Sequence, residues 1–297
     1  MTNQNTNDLY KHIQGLAAQC KANINYLDDN ELINSILLKN ISSTELKYIC
    51  AIRYWYRVLV MDDMKILKDT HPGTTETTID TNLSFISLKG SEYAKTRGKT
   101  IDPYGINTYY ADDFKGKSFN QLLLTVPEIN KKPGLSKILY IGARTECEIL
   151  MMGYFGLNPR NISAIDLYSY STLITLGDMH KIPYIKDSFD GCILTNCIAY
   201  SEEPQIAIEE AIRVLKPGGS LIFTVSSQHK NASYTPKKIT EGKPRTGAIN
   251  IYPFQKYVEQ AKVIKGVNDS NIKTISIKNK DRYIMDAAII QKIGSLS

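Results

Sequence analysis

The sequence lacks the features of several protein classes. It has no run of about 18 consecutive apolar residues, which a helix needs to span a membrane. Its first eight residues are polar and do not resemble a secretory signal. The five cysteines are odd in number and form no CxxC pair, so neither a disulfide framework nor a zinc site is expected. These absences predict a cytoplasmic protein with reduced thiols, no bound metal and no membrane partner.

The composition is that of an ordinary globular protein. The 297 residues are 42% hydrophobic and 22% charged, and a chain of this length is typical of about two domains. The formal net charge of +6 is a small excess, and part of it lies in a basic segment at 230–245. That segment is either a patch for an anionic partner or a solvated loop. Because no nucleic-acid motif accompanies it, no nucleic-acid partner is expected.

Residues 1–132 have helical periodicity without a strand–helix alternation, and they predict a mainly helical N-terminal domain. Ser42-x-x-Glu45 has the spacing of a capping box, in which the two side chains satisfy backbone N–H groups at a helix start. Apolar residues three or four positions apart follow it, as on one helix face. The single tryptophan, Trp55, lies between two tyrosines and belongs either to the core or to the wall of a substrate pocket.

Residues 133–297 change to alternating strand and helix patterns. Short apolar runs predict strands at 137–141, 161–165, 189–195 and 220–225. A helix follows Ser201 and ends at the segment 216–219, and a helix at 253–264 precedes two further strands at 274–278 and 283–290. Such alternation predicts a parallel sheet with helices on its faces, and ligands bind such sheets beyond the carboxyl ends of the strands.

Three residues at predicted strand ends are suited to binding a nucleoside. Gly142 ends the first strand, where a glycine allows a ligand to approach the backbone. Asp166 ends the second strand and is placed to accept hydrogen bonds from ribose hydroxyls, which we prefer to a role as a turn residue or helix cap. Eleven residues, 167–177, separate it from Asp178. By itself the glycine signal is weak, because a dinucleotide site has three glycines.

Three motifs follow in a fixed order: Gly177-Asp-Met-His-Lys-Ile-Pro183, Ser188-Phe-Asp190 and Arg213-Val-Leu-Lys-Pro-Gly-Gly219. With them, the chain resembles the class I S-adenosylmethionine-dependent methyltransferases over residues 137–226, and in outline over 253–292. The resemblance implies a Rossmann-like, seven-stranded, mostly parallel sheet with flanking helices and an antiparallel last strand. It implies S-adenosylmethionine as the cofactor, and it does not reach the first 132 residues.

The same resemblance implies a set of cofactor-binding residues. They are Gly142, Ala143 and Arg144 for the methionine part, Asp166 and Leu167 for the ribose, Asp178 and Met179 for the adenine, and Asn196 near the methionine end or the reacting centre.

The sequence departs from the family pattern in two ways. Arg144 and Glu146 stand where the glycine-rich loop usually has small residues, so Arg144 either grips the cofactor carboxylate or blocks the site. Thr145-x-x-Glu148 fits a capping box, which we prefer to a role for Glu148 as a base. The short interval between Asp166 and Asp178 leaves little room for the usual helix, and a loop is expected there.

Methyl transfer from a sulfonium is an in-line displacement that sometimes needs a base. The resemblance points to His180 and Tyr200 as catalytic candidates, with His180 as base and Tyr200 orienting the acceptor. His180 also lies beside the adenine turn, where a structural role is equally consistent. Cys197 is interpreted as a packed thiol, since no base lies near it in the sequence.

The sequence as a whole predicts a methyltransferase that acts on a small-molecule or sugar-containing acceptor. Residues 133–297 are expected to bind S-adenosylmethionine, and residues 1–132 are expected to shape the acceptor site. Two alternatives stay open: transfer of another group from the same cofactor, such as the aminocarboxypropyl arm, and a non-catalytic scaffold that retains the fold.

Overall fold

The computed structural model describes residues 27–55, 57, 65–66, 118–143, 145–195, 197–201, 203–228, 254–278 and 283–294. Within these ranges the α-helices are α1 (Asp29–Leu37), α2 (Ser43–Trp55), α3 (Pro127–Lys131), α4 (Glu146–Leu150), α5 (Pro204–Val214) and α6 (Phe254–Lys262). The strands are β1 (Lys65–Ile66), β2 (Ile138–Ile141), β3 (Ile162–Asp166), β4 (Tyr168–Ser169), β5 (Thr175–Leu176), β6 (Phe189–Thr195), β7 (Leu215–Gln228), β8 (Ile272–Lys278) and β9 (Tyr283–Gln291). Short 3-10 helices include Ser118–Thr125, Met151–Phe155 and Ile198–Tyr200.

Seven strands form one sheet in the order β5-β3-β2-β6-β7-β9-β8. Pairing from β5 to β7 is parallel, whereas β9 runs antiparallel to both of its neighbours. The predicted Rossmann-like sheet, with an antiparallel last strand, is therefore confirmed. A short run such as β2 is apolar throughout because all four of its residues are buried, as expected for a central parallel strand.

Core side chains cover both faces of the sheet, since successive residues of a strand point to opposite sides. One face packs against α5 and α6, with Leu139, Ile141, Leu194, Phe223, Ile208, Ile212, Tyr257 and Val258 in its core. The other face packs against Ser118–Thr125, α3 and α4, with Leu123, Ile129, Ile138, Tyr140, Ile149, Met152 and Ile193. The sheet core therefore includes residues before 132, and the division of the chain at that residue stays a prediction.

Helices α1 and α2 form a third cluster with α4 and the 3-10 helix after it, through Leu32, Ile33, Ile36, Leu46, Ile49, Cys50, Cys147, Leu150 and Met151. The capping box before α2 is confirmed: the Ser42 N–H donates to Glu45 at 2.7 Å, and the Glu45 N–H donates to the Ser42 hydroxyl at 3.2 Å. Asp28 caps α1 in the same way, accepting from two backbone N–H groups. The caps define the starts of the two helices, and the apolar cluster packs them against α4 and the 3-10 helix after it.

Three local predictions need correction. The capping box at Thr145 is wrong, because the Thr145 side chain makes no cap hydrogen bond to α4. Strand β7 begins at Leu215, directly after α5, so the segment 216–219 lies inside the strand as a break in register between two pairs with β6. The interval between Asp166 and Asp178 contains the short strands β4 and β5 and no helix, and β4 pairs with β1. In the described part of the chain, none of the helices has the length and apolarity to cross a membrane.

Candidate functional site

The site lies where the carboxyl ends of four adjacent strands, β5, β3, β2 and β6, meet. The backbone of the connecting turns is joined directly: the Gly142 N–H donates to the Ile165 carbonyl and the Gly177 N–H donates to the Asp166 carbonyl, both at 2.9 Å. Asp166 is the register partner of Leu176, two residues before Asp178. The two acids predicted to converge therefore lie at the same edge of the sheet, on neighbouring strands.

Gly142 occupies a position that no other residue fits without strain. Its φ of +76° lies in the left-handed region, and a Cβ placed on it would come within 2.7 Å of the Cys197 Cβ. The Cys197 thiol donates to the Ile141 carbonyl at 3.3 Å. The glycine thus allows the turns after β2 and β6 to touch, and the partly buried Cys197 packs against it.

Asp166 is 8% exposed and its carboxylate accepts the N–H of the next residue, Leu167, at 2.7 Å. This contact fixes the side chain at the end of β3. Leu167 and Met179 are partly buried on either side of the strand ends, and Ala143 is fully buried in the turn after β2. The assignment of these residues to ribose, adenine and methionine stays a prediction.

His180 connects Asp178 to the turn after β6. Its Nδ1 lies 2.6 Å from the Asp178 carboxylate, its Nε2 lies 2.6 Å from the Ser201 hydroxyl, and its backbone N–H also donates to Asp178 at 2.9 Å. All three side chains are buried, and the Ser201 hydroxyl also accepts the Glu203 N–H at 3.1 Å. Both ring nitrogens therefore have protein partners. To take a proton from an acceptor, the imidazole would first have to leave Ser201.

A second buried network surrounds Glu146, the first residue of α4. Its carboxylate accepts from Arg53 Nε at 2.5 Å and Nη2 at 3.0 Å, and from the Ser171 hydroxyl at 2.7 Å. Its backbone N–H donates to the Tyr170 phenol at 3.1 Å. Glu146 and Arg53 are both fully buried. The sequence showed no sign of this network, because its partners are up to 93 residues apart in the chain.

The charges of this network stabilise one another. Burial opposes the Arg53 charge, but Glu146 and Asp29 outweigh it and raise the pKa of the guanidinium above its usual value. Burial likewise opposes ionisation of Asp29, but Thr172, Arg53 and Arg57 together lower its pKa. Both groups thus stay ionised at neutral pH. Burial raises the pKa of the phenol of Tyr170 well above the usual range, so Tyr170 stays neutral.

Three predicted site residues fall outside what the structure describes. Arg144 and Asn196 are outside the described residues, and of Tyr200 only the backbone is described, at the end of the 3-10 helix after β6. Glu148 is buried on α4. No group of three or more histidine, cysteine, aspartate or glutamate side chains within the described ranges is arranged to bind a metal.

The described residues fit an adenosine-containing cofactor. Two buried carboxylates at neighbouring strand ends are acceptors, which suit the hydroxyl and amino donors of a nucleoside. In addition, the Thr145 hydroxyl is buried beside the Gly142 turn with no hydrogen-bond partner in the described protein, as expected of a group that bonds a ligand. The acceptors and the unsatisfied hydroxyl lie along the same edge of the sheet.

Comparison with known families agrees with the sequence motifs. Residues 158–223, from before β3 to within β7, match the family described as a methyltransferase domain. Over this segment the chain is similar to methyltransferases, and S-adenosylmethionine is the cofactor that the sequence motifs imply. The matched part of the domain contains Asp166, Asp178 and His180, which the geometry had already placed together.

Individual relatives of the methyltransferase domain are distant. The bifunctional biotin biosynthesis protein BioHC of Teredinibacter turnerae is 48% identical over 44 residues, which are 15% of this chain and 8% of that protein. The chain therefore matches only a small part of that relative's length.

Solved structures with a similar fold have different described activities. The [4+2]-cyclase SpnF is 12% identical over 77% of this chain and 100% of its own, with a TM-score of 0.47. Phosphoethanolamine N-methyltransferase 2 of Haemonchus contortus is 14% identical over 74% of this chain and 61% of its own, with a TM-score of 0.46. At these identities and TM-scores the likenesses carry no inference about reaction or substrate.

Proposed function

We propose that this protein transfers the methyl group of S-adenosylmethionine to a small-molecule or sugar-containing acceptor. The observation that carries the proposal is the placement of Asp166 and Asp178 at neighbouring strand ends, beside the turn at Gly142. Two acceptors at neighbouring strand ends suit an adenosine, whose ribose and adenine both present donors.

The proposed cofactor contacts follow the order of the strands. Asp166, fixed by the Leu167 N–H, accepts from the ribose hydroxyls, and Asp178, held by His180, accepts from the adenine amino group. Met179 packs on the adenine ring. The turn that begins at Gly142 holds the methionine part, and Arg144 and Asn196, the latter directly after β6 in the sequence, are assigned to the same end of the cofactor.

The bound cofactor supplies an activated methyl on a sulfonium, and this chain's residues supply alignment. The sheet edge holds the adenosine rigidly because the turns are bonded to one another. The acceptor approaches from the segment after β6, where we propose that Tyr200 orients it. We propose that His180 acts there by holding Asp178, since its two ring nitrogens are already engaged.

The test is calorimetric titration of the protein with S-adenosylhomocysteine, the product of methyl transfer. Asp166→Ala is expected to weaken binding at least about tenfold, or 1.4 kcal/mol, because the ribose acceptor is lost. Asp269→Ala removes an acid whose side chain is 82% exposed beside Lys262, and it is expected to leave the affinity unchanged. An unchanged dissociation constant for Asp166→Ala contradicts the ribose assignment.

Experiments on the same protein distinguish the two alternatives, a non-catalytic scaffold and transfer of the aminocarboxypropyl arm. If the wild-type protein neither binds S-adenosylhomocysteine nor is stabilised by it, the scaffold interpretation is correct. If it binds, incubation with S-adenosylmethionine and candidate acceptors, followed by mass measurement, distinguishes the gain of one methyl from the gain of a larger aminocarboxypropyl arm.

A further inference from the structure

A fully buried side chain of the N-terminal helices reaches the cofactor edge of the sheet. Arg53 extends from α2, is fully buried, and binds Glu146 through two of its nitrogens. Its remaining nitrogen, Nη1, donates to the Leu27 carbonyl at 2.8 Å, and Nη2 also contacts Asp29. A guanidinium that donates from all three of its nitrogens in this way holds its partners in a defined geometry and also neutralises their charge.

Glu146 lies between the two segments that the proposed function assigns to the cofactor. It follows the turn at Gly142 by four positions, and its carboxylate and N–H contact Ser171 and Tyr170, in the segment that follows Asp166. The ion pair with Arg53 is thus placed to hold these two segments at a fixed separation. Pairing of β1 with β4 brings a second part of the N-terminal region to the same segment.

The charge of Glu146 has a direct consequence for the cofactor. A fully buried carboxylate acts over a longer range than an exposed one, because little water screens it. The proposed amino-acid end of the cofactor, at the Gly142 turn, carries an ammonium as well as a carboxylate. An uncompensated Glu146 would attract the first group and repel the second, and so favour a different orientation of this end, whereas the adjoining Arg53 leaves the buried pair neutral.

We infer that Arg53 is a positioning residue of the cofactor site. Its ion pair with Glu146 holds the Gly142 turn and cancels a buried negative charge beside the amino-acid end of S-adenosylmethionine. The inference rests on the proposed function, and it gives the N-terminal helices a role in cofactor affinity in addition to any role toward the acceptor.

The experiment compares two ligands by calorimetry on the full chain. S-adenosylhomocysteine carries the amino-acid arm, and 5′-methylthioadenosine has the same adenosine without it. Arg53→Met is expected to weaken S-adenosylhomocysteine about tenfold or more, while 5′-methylthioadenosine changes by less than about threefold. The double variant Arg53→Met with Glu146→Gln is expected to regain only part of the affinity for S-adenosylhomocysteine, because the bare carboxylate is gone but the ion pair that holds the turn is still absent.

A matched control variant distinguishes the effect of a lost charge at the cofactor site from the effect of a weaker attachment of the N-terminal helices. Arg160 also connects the N-terminal region to the sheet domain, donating to Asn34 of α1 at 3.0 Å, but it precedes β3 and so lies at the opposite, amino-terminal edge. Arg160→Met is expected to leave the affinities for both ligands unchanged.

The outcomes distinguish the inference from the function on which it rests. If Arg53→Met loses equal affinity for the two ligands, or loses none, the inference is overturned. The proposed cofactor is still supported in that case, provided that the wild-type protein binds S-adenosylhomocysteine. No binding of S-adenosylhomocysteine to the wild type overturns the proposed function itself. If Arg53→Met does not fold, Glu146→Gln decides: its affinity for S-adenosylhomocysteine relative to 5′-methylthioadenosine should fall, because the ion pair that holds the turn is absent, and an unchanged ratio overturns the inference.

Discussion

Two buried polar networks hold the turns at the cofactor edge, and they differ in their physics. The Asp178–His180–Ser201 network joins residues at most 23 positions apart, and a single imidazole connects the two other side chains. The Arg53–Glu146 network joins residues 93 positions apart and pairs full charges in a fully buried place. The first network adjusts one side of the site locally, whereas the second attaches a separate part of the chain to it.

The two networks differ in the free-energy cost of losing one partner. A buried hydrogen bond that is broken leaves polar groups unsatisfied, at a cost of about 1–3 kcal/mol. A buried ion pair that loses one member leaves an uncompensated charge, at a cost of about 3–5 kcal/mol. We therefore expect the long-range network to determine global stability and the short-range network to determine local geometry.

The largest effect is expected for Arg53→Met, measured by urea unfolding at pH 7. The free energy of unfolding should fall by about 3–5 kcal/mol, since Glu146 and Asp29 both lose their buried partner. Arg160→Met should change it within about 0.5 kcal/mol, because Arg160 is exposed. A loss for Arg53→Met as small as that of the control would remove the difference between the two networks.

A smaller effect is expected for His180→Ala. The free energy of unfolding should fall by about 2–3 kcal/mol, because the buried Asp178 and Ser201 each lose a hydrogen-bond partner. Binding of S-adenosylhomocysteine should weaken as Asp178 loses its support. Lys181→Ala changes the adjacent, exposed side chain and should leave both quantities unchanged. If His180→Ala unfolds as easily as Arg53→Met, the imidazole network is not merely local.

The smallest effect is a pH dependence from Asp29, whose pKa is held below its ordinary value of 3.8 by contacts that outweigh its burial. A carboxyl with a lowered pKa in the folded state stabilises the protein above its unfolded pKa, and this contribution is lost as pH falls through the folded pKa. Unfolding measured from pH 7 to pH 3 should show the wild type about 1 kcal/mol more stable than Asp29→Asn at pH 7, after allowance for partial exposure. The difference should shrink below about pH 4. A stability difference that does not change with pH would show that the charge of Asp29 does not stabilise the folded state.

The fold was predictable where local pattern and burial coincide. Phe189–Thr195 has the bounds predicted from its apolar run, and the acids after β3 and β5 reach one edge because parallel strands place their carboxyl ends together. The capping box at Ser42 was predictable because all of its partners lie within four residues.

Other predictions failed because the deciding partner is distant in sequence. Thr145 has the spacing of a cap, yet the neighbouring Glu146 is bound by Arg53 and the Thr145 side chain makes no cap bond. The extra length of β7 depends on pairing with both β6 and β9. His180 has the chemistry of a base, but its packing against Asp178 and Ser201 is a tertiary property.

The sequence alone determined the six longer strands of the main sheet, the helices α5 and α6, the family motifs and the acids at the strand ends, because these depend on local periodicity and on spacing along the chain. The tertiary structure decided which side chains are bound to one another: Arg53 to Glu146, and His180 to both Asp178 and Ser201. Burial removes water as a competing partner, so these contacts become specific only after the sheet and the N-terminal helices have packed together.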